Sequence, residues 1–220
     1  MALGSLLKRL SAMALLSSQQ RWLAEAREEL VVDEDVEDKL WAEGLTFYPH
    51  RVETEDKYVL TVFHVYPSKD EDDTAEMRTK GTILLQHGSS MDGQSWFMTE
   101  NKSLPGLLVK AGFDVYIGND RGTRNSLSHR TMRAKKHTED FYDFSFAELG
   151  MYDSPAVLNY IRMHAKSEKI IYVGYQQAAT SILYAFSKPY TSLLLKSLLS
   201  DVILLAPCVF FSEPILNYPG

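Results

Sequence analysis

From Phe47 to Tyr66, apolar and polar positions alternate with a period of two, and the alternation breaks only at Glu55-Asp56-Lys57. β-Branched and aromatic residues dominate both halves, which predicts two strands joined by a tight turn, a β-hairpin. Short apolar runs follow at Thr82–Gln86, Phe113–Ile117, Ile170–Val173 and Val202–Ala206. Each has the length of a buried strand and is bounded by Gly, Pro or polar residues. Between them, Leu104–Ala111, closed by Gly112, reads as a helix, as do Met151–Ala165 and Gln177–Ser187. Pro155 falls in a first turn, where its missing N–H does no harm. Ser68–Lys80 is charged and reads as an exposed loop, Gly118–Gly122 as a polar turn, and 123–140 as basic and irregular. Strands alternating with helices in this order predict an α/β fold with a mostly parallel sheet flanked by helices.

The amino-terminal part has a different character. Residues 1–27 hold Lys8, Arg9, Arg21 and Arg27 against Glu25 alone, and 28–38 then bring seven carboxylates. This divides the chain into an N-terminal helical extension with an acidic linker (1–44) and a main domain (45–220). A basic, Ser-containing, acid-poor amphipathic start reads as a mitochondrial targeting segment or as a docking helix. A secretory signal fits less well, because Lys8 and Arg9 displace a short apolar stretch.

The net charge of −6 and pI near 5.5 leave no basic footprint for nucleic acid. Cys208 is the single cysteine, so no internal disulfide forms, which leans toward a reducing compartment. No apolar run reaches the ~18–20 residues of a membrane span. No metal-ligand spacing, Walker loop or dinucleotide fingerprint is present, so no cofactor is expected.

Five blocks occur in order at natural spacing: LLQHG (84–88), Ser95-Trp96, AGFDVYIGNDRG (111–122), FSFAELGMYDSPA (144–156) and YVGYQQA (172–178). Together they resemble the gastric and lysosomal acid lipases of the α/β-hydrolase fold, over roughly residues 45–210. The hairpin TEDKYVL (54–60) is similar to that family's opening strand pair, with Lys57 where glycine is usual. The resemblance implies a partial α/β-hydrolase fold.

It also implies a serine-hydrolase scheme, in which a Ser on a G-x-S-x-G elbow attacks the ester, a His takes its proton, and an Asp orients the His. The matching elbow here is Gly174-Tyr175-Gln176-Gln177-Ala178, with Gln176 where the nucleophile belongs and Ala178 in place of the last glycine. A carboxamide has no ionisable O–H and forms no acyl-enzyme. In this fold the order is Ser, acid, His, yet His50, His64, His87, His129, His137 and His164 all precede Gln176, and after it stand only Asp201 and Glu213. The expectation is a pseudoenzyme without a triad. His87, Gly88 and Ser89 resemble the oxyanion loop, with Ser89 supplying a backbone N–H and His87 bracing the loop.

Asn119–Gly122 is expected to form a turn network, with Asp120 replacing a small residue. Cys208 is expected to be a buried, inert thiol. Arg130, Arg133, Lys135, Lys136 and His137 form a solvated basic loop or meet an anionic partner, and Asn101-Lys102-Ser103 is a formal glycosylation sequon. With the later strands of the fold missing, Val202–Ala206 would be an exposed apolar edge that other protein subunits cover. Three readings stay open: an accessory subunit of a larger complex, set in mitochondria; a lipid- or acyl-binding module using the old cleft; and a fragment of an active lipase.

Overall fold

The computed structural model describes residues 31–68, 80–99, 102–165 and 167–208. The basic segment 1–27, most of the Ser68–Lys80 loop, Asn101 and the residues after Cys208 lie outside them.

Helix α1 (Glu34–Ala42) leads into the hairpin β1 (Leu45–Glu53) and β2 (Tyr58–Pro67). The turn between the strands places Lys57 at φ 75°, the left-handed conformation for which glycine is the easy residue. Then come β3 (Thr82–Gln86), a 3₁₀ turn (Gly93–Phe97), α2 (Leu104–Lys110), β4 (Asp114–Asn119) and β5 (Ser128–His129). The short turns α3 (Thr138–Phe141) and α4 (Phe146–Glu148) lead through a π-helical turn, Leu149–Asp153, into α5 (Ser154–His164). The chain continues through β6 (Ile170–Tyr175), α6 (Gln177–Phe186), α7 (Pro189–Leu198) and β7 (Leu199–Leu205).

The strand order is β1-β2-β4-β3-β6-β7, with β5 also paired to β2. The β4, β3, β6 and β7 ladders are parallel, while β1–β2 and β2–β4 are antiparallel. The predicted α/β architecture holds, with a parallel half extended by an antiparallel hairpin. Differences from the pattern-based expectation sit at boundaries and in elements that the pattern did not predict. β4 runs two residues further, into the expected polar turn. α5 starts later, because the π-helical turn precedes it. α7 and the two-residue β5 had no prediction.

Period-two alternation sends side chains to two cores. On one face Leu60, Val62, Leu84, Tyr116 and Tyr172 pack against Leu158, Ile161, Ile182 and Leu195 from the α5–α7 layer. On the other, Phe47, Phe63, Ile83, Leu85, Val115 and Ile117 pack with Val36 and Leu40 of α1 and Val109 of α2. α1 is also fastened at its C-terminal end. The buried Glu43 carboxylate accepts hydrogen bonds from Ser103 N–H and Oγ, both at 2.9 Å, where Ser103 caps α2.

The parallel strands β3, β4 and β6 end on the same edge of the sheet. That edge carries the residues of interest.

Candidate functional site: a strand-turn-helix elbow and its loop

β6 passes into α6 through Gln176, whose backbone takes φ 49° and ψ −104°. This strained conformation costs of order 1–3 kcal/mol in a non-glycine residue and projects the side chain off the turn. Gly174 permits the close approach. A Cβ there would lie 2.6 Å from Tyr172 Cε1 and 3.1 Å from the Ala179 nitrogen. Ala178 is buried in the first turn of α6, and its carbonyl accepts a hydrogen bond from Tyr172 Oη at 3.2 Å. Gln176 N–H donates to the Leu205 carbonyl at 2.8 Å, so the elbow is tied to the end of β7.

The loop after β3 closes over this elbow. Ser89 N–H donates to Gln176 Oε1 at 2.9 Å. A Cβ on Gly88 would meet Gln176 Oε1 at 2.8 Å and Tyr175 Cδ1 at 2.9 Å, so the bare glycine backbone makes room for the contact. His87 is 3% exposed, with Nδ1 2.8 Å from the Gly88 carbonyl and Nε2 accepting from Asp120 N–H at 3.1 Å. With Nε2 accepting, Nδ1 carries the proton and donates to Gly88. Both ring nitrogens are engaged in holding the loop. The structure therefore brings Gly88, Ser89 and Gln176 into contact and places His87 behind them.

The turn network expected of Asn119–Gly122 lies beside it. Asn119 Nδ2 donates to the Thr61 carbonyl and its Oδ1 accepts from Gly93 N–H. Asp120 is buried and accepts from Gln86 Nε2 at 2.6 Å. Burial pushes its carboxyl above the usual range, against the pull of His87, Gln86 and Arg121. Arg121, also buried, had no role in the sequence reading beyond the turn. Its Nε lies 2.8 Å from Asp153 Oδ1, and its Nη1 and Nη2 reach Asp56 at 2.5 and 2.8 Å. The guanidinium lies 4.0 Å from the centre of the Tyr58 ring. Burial also raises Asp153, to about 7, with Arg121 pulling it back and Asp120 adding to the rise. Arg121 binds Asp153 directly and opposes its rise, whereas for Asp120 it is the last and weakest of the opposing partners.

The remaining candidates take no part in the contact between Ser89 and Gln176. Cys208 is half-buried rather than buried, and its carbonyl accepts from Thr180 Oγ1 at 2.6 Å. In the basic loop, Arg130 is paired with Glu53 at 2.5 Å, so part of that charge is neutralised at the surface. Among the described residues no group of His, Cys, Asp and Glu is placed to hold a metal ion, and no helix is long and apolar enough to cross a membrane.

A mixed sheet in this strand order, with a strained strand-to-helix elbow at the C-terminal ends of its parallel strands, defines the α/β-hydrolase fold. Solved structures agree at the level of fold. The esterase Est22 aligns at a TM-score of 0.51 and 14% identity, over 96% of this chain and 59% of its own. The Pyrococcus furiosus esterase Pf2001 aligns at 0.51 and 15%, over 83% and 55%. Within that class the chain carries a partial region of the acid lipase family. Residues 36–100 match the family model of the partial alpha/beta-hydrolase lipase region. The human lysosomal acid lipase/cholesteryl ester hydrolase is 37% identical over 147 residues, which are 66% of this chain and 36% of the relative. Human lipase member M is 36% identical over 66% of this chain and 34% of its own length, and rat gastric triacylglycerol lipase 35% over 66% and 36%. The chain spans about a third of the length of these relatives.

These relatives correct the mitochondrial setting expected from the basic N-terminus. Lysosomal and gastric lipases point to the secretory pathway instead. The physical reason for the error is that a short basic amphipathic stretch has several uses, and charge pattern alone does not choose among them.

Proposed function

We propose that this chain is a non-hydrolytic member of the acid lipase family that acts by binding, as an accessory subunit of a larger assembly. One observation carries the reading: the residue at the apex of the elbow is Gln176, and its own side-chain oxygen occupies the Ser89 N–H. In ester hydrolysis that N–H would stabilise the oxyanion, and the apex atom would be an alkoxide-forming hydroxyl. Here the apex offers a resonance-stabilised amide, and the donor is already engaged. Even an otherwise intact site would lack the bond-forming atom.

The binding role draws on a second feature. Among the described residues β7 is one of the two outer strands, β1 being the other, and it presents Ile203 and Leu205 at 47% and 37% exposure. The neighbouring helix α7 adds Tyr190 and Leu193, at 89% and 68%. An outer strand with apolar side chains is a template for a pairing chain. The alternative, a lipid- or acyl-binding module, would use the cleft beside the elbow. It requires the Gln176 side chain to swing off Ser89 when ligand enters.

The test is labelling of the full-length protein by a fluorophosphonate probe, alongside p-nitrophenyl ester turnover. The expected outcome is no elbow adduct and hydrolysis at the buffer rate. An adduct on any residue of the elbow, or turnover well above buffer, overturns the proposal.

A further inference from the structure

At the end of the sheet opposite the elbow, three histidines from three elements meet on one face. His50 comes from β1, His64 from β2 and His164 from the last turn of α5. The strand register sets Tyr48 opposite His64 and His64 opposite Tyr116, so the rings form a continuous row. His64 stacks on Tyr116 at 4.3 Å, with the planes 5° apart, and His164 stacks on Tyr160 at 4.0 Å. His50 sits between the two stacks, 5.9 Å from His64 and 6.3 Å from His164.

The hydrogen bonding is lopsided. His64 Nε2 lies 2.6 Å from Asp114 Oδ1, and His164 Nδ1 lies 2.7 Å from the Tyr160 carbonyl. His50 Nδ1 pairs with Tyr160 Oη at 2.9 Å, but its Nε2 is buried with no partner. A neutral imidazole tolerates this, since one nitrogen is simply left unmatched. An imidazolium presents two N–H donors, and one of them would be stranded in the core beside two other histidines. Among the described residues, the groups facing the cluster are Tyr48 from β1, His64 and Tyr66 from β2, Asp114 and Tyr116 from β4, and Tyr160 and His164 from α5. The only carboxylate among them, Asp114, is already against His64. Burial is the main reason that His50 resists protonation, to about 4, followed by His64 and then His164.

We propose that this cluster is an acid-operated latch: protonation of His50 releases the C-terminal half of α5 from the β1–β2 hairpin. A groove of about 390 Å³ already separates α5 from the hairpin next to the cluster; Arg51, Glu53 and Glu55 line it on the hairpin side and Ala156, Asn159 and Tyr160 on the helix side, and Tyr160 joins it to His50. When α5 lifts, both nitrogens of His50 reach water and the ring regains an ordinary histidine's proton affinity. The same helix begins next to Asp153, which holds Arg121.

The experiment is amide hydrogen exchange of the full-length protein across pH 7 to 4, corrected for the intrinsic pH dependence. A change in His50 from about 6.5 when exposed to about 4 when latched predicts a loss of protection on the order of a hundredfold in residues 157–165 by pH 4. α6 should lose far less. His50→Phe keeps a ring in the slot without a titrating nitrogen and leaves the His64–Asp114 pair intact, so its α5 protection should be flat across this range. The ¹⁵N shifts of the wild-type His50 ring supply a check that needs no variant: the ring should titrate in step with the loss. Unchanged α5 protection at pH 4, the same loss in His50→Phe, or a His50 ring that titrates near 6.5 would each overturn the proposal.

Discussion

The carboxamide oxygen of Gln176 and the backbone N–H of Ser89 are joined by a 2.9 Å hydrogen bond across 87 residues of sequence. The contact makes the apex of the elbow and the loop after β3 a single closed unit.

Gln176→Ala should open this unit without creating an esterase. Losing one hydrogen bond of about 0.5–1.5 kcal/mol corresponds to roughly a two- to twelvefold rise in exchange at the Ser89 amide. Ester turnover should remain at the buffer rate. Site-resolved exchange by NMR checks the first part, and a chromogenic ester assay the second.

Asp120→Asn should become relatively more stable than the wild type as pH rises. The Asp120 carboxyl is raised by burial, so the folded state holds a proton that the unfolded state releases above its ordinary value near 4. The wild type therefore has the full benefit of that proton below about 4 and loses it progressively as pH climbs through the folded value. Asn mimics the protonated form at every pH. Urea midpoints for both proteins between pH 4 and 8 should diverge in that direction; parallel curves would place the proton elsewhere.

Asp153→Ala leaves the Arg121 guanidinium buried with half its partners gone. Removing one member of such a pair costs about 3–5 kcal/mol, and the isosteric double change Arg121→Met, Asp153→Leu should recover much of it. Equilibrium denaturation of the two variants reads the difference. Arg121→Lys should not behave as a conservative change, because one ammonium lacks the fork that reaches Asp56 and Asp153 together.

Gly150→Ala tests the π-helical turn. The added Cβ would stand 2.3 Å from the Ser181 carbonyl oxygen of α6, a backbone atom unable to step aside cheaply. A loss of at least about 1–3 kcal/mol is expected, measured as a lower urea midpoint. Gly150 fixes how closely the helix of the elbow packs on the turn before α5.

Much of the architecture was legible because strands announce themselves by period two and by short apolar runs. β3 falls where Thr82–Gln86 predicted it, and the hairpin turns at Glu55–Lys57 as expected. α7 was not legible: its Leu193-Leu194-Leu195 run and its Ser and Thr residues carry no clear helical stripe, and the helix is fixed by packing against α5, α6 and β7. The π-helical turn was hidden for a similar reason, since one extra residue per turn leaves the local composition helical. Gln176 could be read from the elbow motif, whereas its bond to Ser89 could not, because no local pattern encodes a contact between two loops. The same holds for Arg121 with its two aspartates, and for the histidines at 50, 64 and 164, which become a cluster only once strand register and helix docking are fixed.

The Arg121 clamp also bears on how the chain folds. One guanidinium ties the hairpin turn at Asp56, 65 residues away, to the head of α5 at Asp153, 32 residues away in the other direction. Each closure is entropically slow, and neither rewards the chain until β4 stands between the two partners. The clamp can therefore form only after the hairpin, the central strand and α5 have docked. Losing any one of the three should unzip the others, making this region a single cooperative unit of unfolding rather than three.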